Sequence, residues 1–172
     1  LQVERELAWH RVSLASCPDY LDQVATWHHR ECLRQGLQSH QDKRRERLLQ
    51  HLIGCACVPQ TWLALEPGSG DLIGCVSVVS YHLGARPGTP QADTPLWLSN
   101  LFVAPEWRRQ GVASGLIEGV RQFSRELGMT GLWLTATDQS EFYRRRGWQL
   151  VRRAKLGGRW VNVMTHALGD TP

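Results

Sequence analysis

Arg108, Gly111 and Ala113 form an Arg-x-x-Gly-x-Ala pattern just beyond an apolar run that ends at Val103. The segment reads as a strand, a tight basic loop and a helix that begins at or near Arg109. A helix start leaves backbone N–H groups without partners and carries partial positive charge. Gly111 and Ala113 have almost no side chain to keep an anion away, and Arg108 and Arg109 add charge. The chemistry that fits is phosphate or pyrophosphate binding. The expected ligand is a phosphorylated cofactor lying across a strand end.

Other residue types are less suggestive. Five cysteines are too few for a disulfide scaffold. Cys55 and Cys57 make one close pair, but no second pair completes a metal site, so no metal is expected and the cysteines read as reduced. The net charge of +4 suits an anionic small ligand. It falls short of the concentrated basic face that nucleic acid requires. The basic run at Lys43, Arg44 and Arg45 reads as a solvated helix face. No apolar stretch approaches the roughly 20 residues that span a bilayer. The first residues lack the apolar core of a signal peptide, and a cytoplasmic location is expected.

The elements that must position the loop follow from periodicity. Strands are predicted at 9–14, 61–65, 72–82, 96–103, 132–135, 148–153 and 160–166. Helices are predicted at 18–35, 42–53, 109–127 and 140–146. The turn cluster at 66–71 makes the second and third strands a hairpin. Proline and glycine mark 84–94 as a loop. The fourth and fifth strands enclose a helix, so they form a parallel crossover. The expectation is a single α/β domain spanning 1–172, with a mixed sheet of about seven strands and about four helices. Asp138 reads as the N-cap of the short helix.

This order, with the loop, resembles the GNAT acyl-CoA N-acyltransferase superfamily. Val103-x-Pro105-x-x-Arg108-x-x-Gly111-x-Ala113 is similar to its acyl-CoA motif. Phe142, Tyr143, Gly147 and Trp148 are similar to its downstream element. The resemblance implies that acyl-CoA lies in a V-shaped opening between the fourth and fifth strands. The backbone of Leu101, Phe102 and Val103 would pair with the pantetheine arm. The pyrophosphate would sit on the amides of Arg109, Gln110, Gly111, Val112, Ala113 and Ser114. Gln139 and Phe142 would also contact the cofactor, and an N–H near Phe102–Val103 would serve the oxyanion.

The implied activity is transfer of an acetyl group from acetyl-CoA to a primary amine of a small molecule, by direct attack in a ternary complex. Peptide or protein acetylation and a non-catalytic acyl-CoA sensor are the alternatives. Thr135, Asp138, Gln139, Phe142 and Tyr143 have some likeness to N-terminal acetyltransferases of the superfamily. Tyr143 is the implied general acid, because a phenol stays protonated at neutral pH. The base is missing from its usual strand: Trp97, Leu98, Ser99 and Asn100 include no carboxylate. Replacement candidates are His82, Glu31, His28 and His29, or a water positioned by Ser99 and Asn100. Trp27, Trp97, Tyr81 and Trp160 are candidates for lining the acceptor pocket. Homodimers through the C-terminal strands are common in the superfamily.

Overall fold

The apolar run near residue 72 forms strand β3 (Leu72–Ser80), buried from Leu72 to Val78. A strand covered on both faces needs apolar or small residues at successive positions, and this run supplies them. The computed structural model describes residues 8–54, 57–80 and 94–169. Around β3 stand β1 (His10–Ser13), β2 (Gln60–Leu65) and β4 (Leu96–Val103), paired antiparallel in sequence order. Strand β5 (Gly131–Ala136) runs parallel to β4, and β7 (Arg159–Ala167) lies between β5 and the edge strand β6 (Gln149–Leu156). The described residues thus form a seven-stranded mixed sheet in the order β1-β2-β3-β4-β5-β7-β6.

Among the described residues four α-helices cover it: α1 (Leu21–Arg34), α2 (Gln41–Leu49), α3 (Val112–Glu126) and α4 (Ser140–Arg144). On one face, Val112, Leu116 and Val120 of α3 pack with Val76, Val78 and Leu98. On the other, Val24, Ala25 and Leu48 of α1 and α2 pack with Leu63 and Cys75. The predicted helix at 42–53 divides, because a 3-10 turn (Gln50–Leu52) follows α2. The predicted strand at 148–153 lengthens to Leu156, as it pairs with β7 up to a turn at Gly157 and Gly158. No helix among the described residues is long and apolar enough to cross a membrane.

Two histidines are buried beneath α1 and α2. His51 Nδ1 lies 2.8 Å from Thr61 Oγ1, which lies 2.7 Å from Ser77 Oγ. Burial lowers His51 to about 4. His28 is lowered to about 3 by burial, then by the nearby charge of Arg44. Both shifts are downward, so the unfolded chain takes up these protons first. The associated stability is complete above pH 6.5 and is lost as pH falls through about 4 and then about 3. A decline on the order of a few kcal/mol is expected on acidification through that window. Melting temperature against pH checks this, and His51→Gln should flatten part of the slope.

Candidate active site

Strands β4 and β5 share only one register pair, Trp97 with Trp133. Their rings meet there with centroids 5.9 Å apart. Beyond that point the strands splay and open a cleft of about 1010 Å³. Along β4 its wall includes Ser99, Asn100, Leu101, Phe102 and Val103. Opposite stand Leu134 to Thr137 of β5 and its following loop, with Gln139, Phe142 and Tyr143. Strand β4 also bulges here. Phe102 pairs with Cys75 and Ser99 with Ser77, so β4 carries one residue more than β3 in the interval. Asn100 takes a φ of 53° to accommodate it, and Asn100 and Leu101 have no register partner on β3. A bulge of this kind redirects backbone groups away from the ladder.

The basic loop differs from its expected form. Helix α3 begins at Val112, not near Arg109. Arg109 has a φ of 61° and Gly111 a φ of 81°, and such left-handed residues cannot start a right-handed helix. The first helical hydrogen bond runs from the Gly115 N–H to the Gly111 carbonyl. Val112, Ala113 and Ser114 therefore present N–H groups with no intrahelical acceptor. No side chain caps this end, and its first turn holds no acidic residue. Among the described residues, no atom beyond the adjoining chain lies within 4 Å of a Cβ built on Gly111. Arg108 donates from Nε to the Val103 carbonyl at 3.0 Å and lies over the Phe102 ring, which fixes the end of β4. Arg108 and Arg109 belong to the cleft wall, whereas Gln110 to Ser114 do not. The Val112 side chain is buried in the core, leaving only its amide for a ligand.

Tyr143 is 8% exposed and still contributes to the cleft wall. Its ring meets Phe142 and Trp148 edge to face, with centroids 5.1 and 5.9 Å away. Burial raises its hydroxyl far above the ordinary phenol value, so the phenol stays protonated.

The base candidates fare differently. His28 is buried behind the sheet face and faces the Cys75 thiol at 3.8 Å. With its pKa near 3 it is a poor base and does not line the cleft. His29 faces Ser39 Oγ at 3.0 Å. Burial pushes the Glu31 carboxyl up, but hydrogen bonds from Arg34 and Gln35 outweigh this and hold it below the usual range. His82 and Tyr81 lie outside the described residues. Trp97 lines the cleft. Trp27 instead packs on Phe102 at 5.0 Å, and Trp160 is exposed beneath Arg153 and Lys155.

The first helix was expected to contribute to the site, but the arginines on the α1–α2 side were not assigned to the cleft from the sequence. Arg34, Arg44 and Arg47 all line it. Arg44 is half-buried, unlike its exposed neighbours Lys43 and Arg45, so the basic run is not simply a solvated face. Asp138 is not the N-cap of α4, a place taken by Gln139. It pairs instead with Arg34 at 3.1 Å, while Thr137 Oγ1 donates to Gln35 at 2.9 Å. These contacts tie the end of α1 to the loop after β5. Gly36, just beyond α1, lies against the Arg159 guanidinium of the β6–β7 hairpin, where a Cβ would come within 2.9 Å.

The model of the acetyltransferase (GNAT) domain matches residues 58–150. The chain belongs to the GNAT acetyltransferase family. Residues 58–150 hold β4, its bulge, the Gly111 loop, α3, β5 and Tyr143. Solved structures share this fold. A GNAT-family acetyltransferase from Staphylococcus aureus is 15% identical, with a TM-score of 0.70, over 94% of this chain and 100% of that one. An aminoglycoside 6'-N-acetyltransferase complexed with coenzyme A is 12% identical, with a TM-score of 0.69, over 95% and 99%. Arabidopsis thaliana NAA60 in complex with acetyl-CoA is 16% identical, with a TM-score of 0.66, over 92% and 98%. No curated protein sequence matches this acetyltransferase significantly.

Proposed function

We propose that this acetyltransferase transfers the acetyl group of acetyl-CoA to the primary amine of a small molecule. The observation that carries the reading is the splay of β4 from β5 beside the uncapped start of α3, with Tyr143 in the same wall. The residues fit such a cosubstrate. Leu101, Phe102 and Val103 offer a strand backbone for the pantetheine arm. The amides of Gly111, Val112, Ala113 and Ser114, with the Arg109–Gln110 backbone and the Arg108 charge, suit the diphosphate. Gln139 and Phe142 belong to the cleft wall.

Acetyl-CoA supplies an activated acetyl group and a thiolate leaving group. This chain's own groups have three tasks. The bulge at Asn100–Leu101 aims a backbone N–H at the carbonyl oxygen as charge develops there. Tyr143 returns a proton to the departing sulfur. Ser99 and Asn100 hold water that carries the amine's proton to solvent, since the Glu31 carboxylate in the cleft wall is taken up by Arg34 and Gln35. A small acceptor is favoured over a peptide. A peptide needs an open groove between the α1–α2 connection and the β6–β7 hairpin, and the Arg159 guanidinium reaches across that line to where a Cβ on Gly36 would stand.

Calorimetry with coenzyme A and a thiol-release assay across amines test the proposal. Gly111→Ala is expected to weaken coenzyme A about tenfold or more. Part is backbone strain of about 1 kcal/mol. The rest reports the ligand, because no protein atom crowds that Cβ. Unchanged affinity would move the diphosphate elsewhere.

A further inference from the structure

Two arginines on the α1–α2 side of the cleft have no carboxylate partner among the described residues. Arg44 Nε donates to Ser39 Oγ at 3.1 Å and Nη1 to the Asn100 side-chain oxygen at 3.5 Å, while Nη2 contacts the Cys32 sulfur. All three partners are neutral. A guanidinium has five N–H donors, so capacity remains. Arg47 stands three residues on along α2, on the same helix face, and also lines the cleft. Arg34, the third arginine on this side, is already neutralised by Glu31 and Asp138. The cosubstrate's phosphates do not answer this charge. Their amides lie past Arg108, at the far end of β4, whereas Arg44 touches Asn100 at the bulge.

A half-buried cation without a counter-charge is costly unless an anion joins it. Paired guanidinium groups are well matched to a carboxylate or a phosphate. The same two charges repel a polycation. We infer that the acceptor is a small amine that also carries an anionic group, and that Arg44 and Arg47 receive that group. This rests on the acetyltransferase reading of the cleft and specifies its acceptor.

Matched acceptors test it by thiol release from acetyl-CoA. The pairs are L-amino acids against their carboxamides, and phosphoethanolamine against ethanolamine, with spermidine as the polycation. The anionic member of at least one pair should exceed its neutral partner about tenfold or more in kcat/KM. The two pairs distinguish carboxylate from phosphate. Arg47→Gln should raise KM for that acceptor about tenfold with less change in kcat. Arg44→Gln should lower kcat/KM further, and Arg44→Lys should restore part of it.

Binding gives a separate readout. The N-acetylated anionic product, titrated in the presence of coenzyme A, should bind more weakly as salt rises and more weakly still to Arg47→Gln. Neutral members turned over as fast as their anionic partners would overturn the inference. So would a preference for spermidine, no turnover of any anionic amine, or indifference to both arginine variants. Coenzyme A release with the neutral amines would still leave the acetyltransferase reading standing. Absence of coenzyme A binding would remove that reading itself.

Discussion

Tyr143→Phe is expected to lower kcat by at least about tenfold, toward the hundredfold that a positioned general acid commonly supplies. The change removes one oxygen from a ring held edge to face between Phe142 and Trp148. The ring's packing survives, so the dissociation constant of acetyl-CoA should barely move. Burial keeps the phenol protonated, and the same poorly solvated wall raises the basicity of a departing thiolate, which keeps the transfer favourable. With no histidine among the described residues of the wall and the Glu31 carboxyl held below its usual range, kcat/KM should climb with pH as the acceptor amine loses its proton. Steady-state kinetics, with calorimetry for cosubstrate affinity, separates these effects. A variant with wild-type turnover would remove the phenol from the chemistry.

Trp148→Ala is expected to destabilise the fold by about 3–5 kcal/mol. The indole is 2% exposed and backs Tyr143 on one side, with His166 at 5.6 Å on the other. Its loss leaves a cavity between α4 and β7 that the surrounding strands cannot close. The melting temperature should fall by about ten degrees or more. Trp148→Phe should retain most of the stability. Thermal and urea unfolding, run side by side on the two variants, check the ordering.

The half of the site built from contiguous sequence was readable. The predicted strand at 96–103 coincides with β4, because a buried apolar run bounded by proline has few alternatives. Tyr143 was singled out because Gly147 and Trp148 follow it at a recognisable interval, and it lies in the cleft wall. The start of α3 was misplaced, since Arg109 and Gly111 both adopt left-handed conformations and nothing in the residue types requires the arginine to do so. The arginines of the α1–α2 side were hidden for a different reason. Arg34 meets Asp138 across 104 positions of chain, and Arg44 meets Asn100 across 56. On an amphipathic helix such charges look solvated until the tertiary partner is known. His28 illustrates the converse: a residue on the right helix, pointing into the sheet.

Arg44 joins the helix that would select the acceptor to the strand irregularity where the proposed transfer would take place. Selection and reaction would thereby depend on one side chain. An amine that fails to engage it leaves the Asn100 amide without its full complement of settled neighbours at the moment of attack. Discrimination between acceptors should then appear in the speed of the chemical step and not only in how tightly each is held.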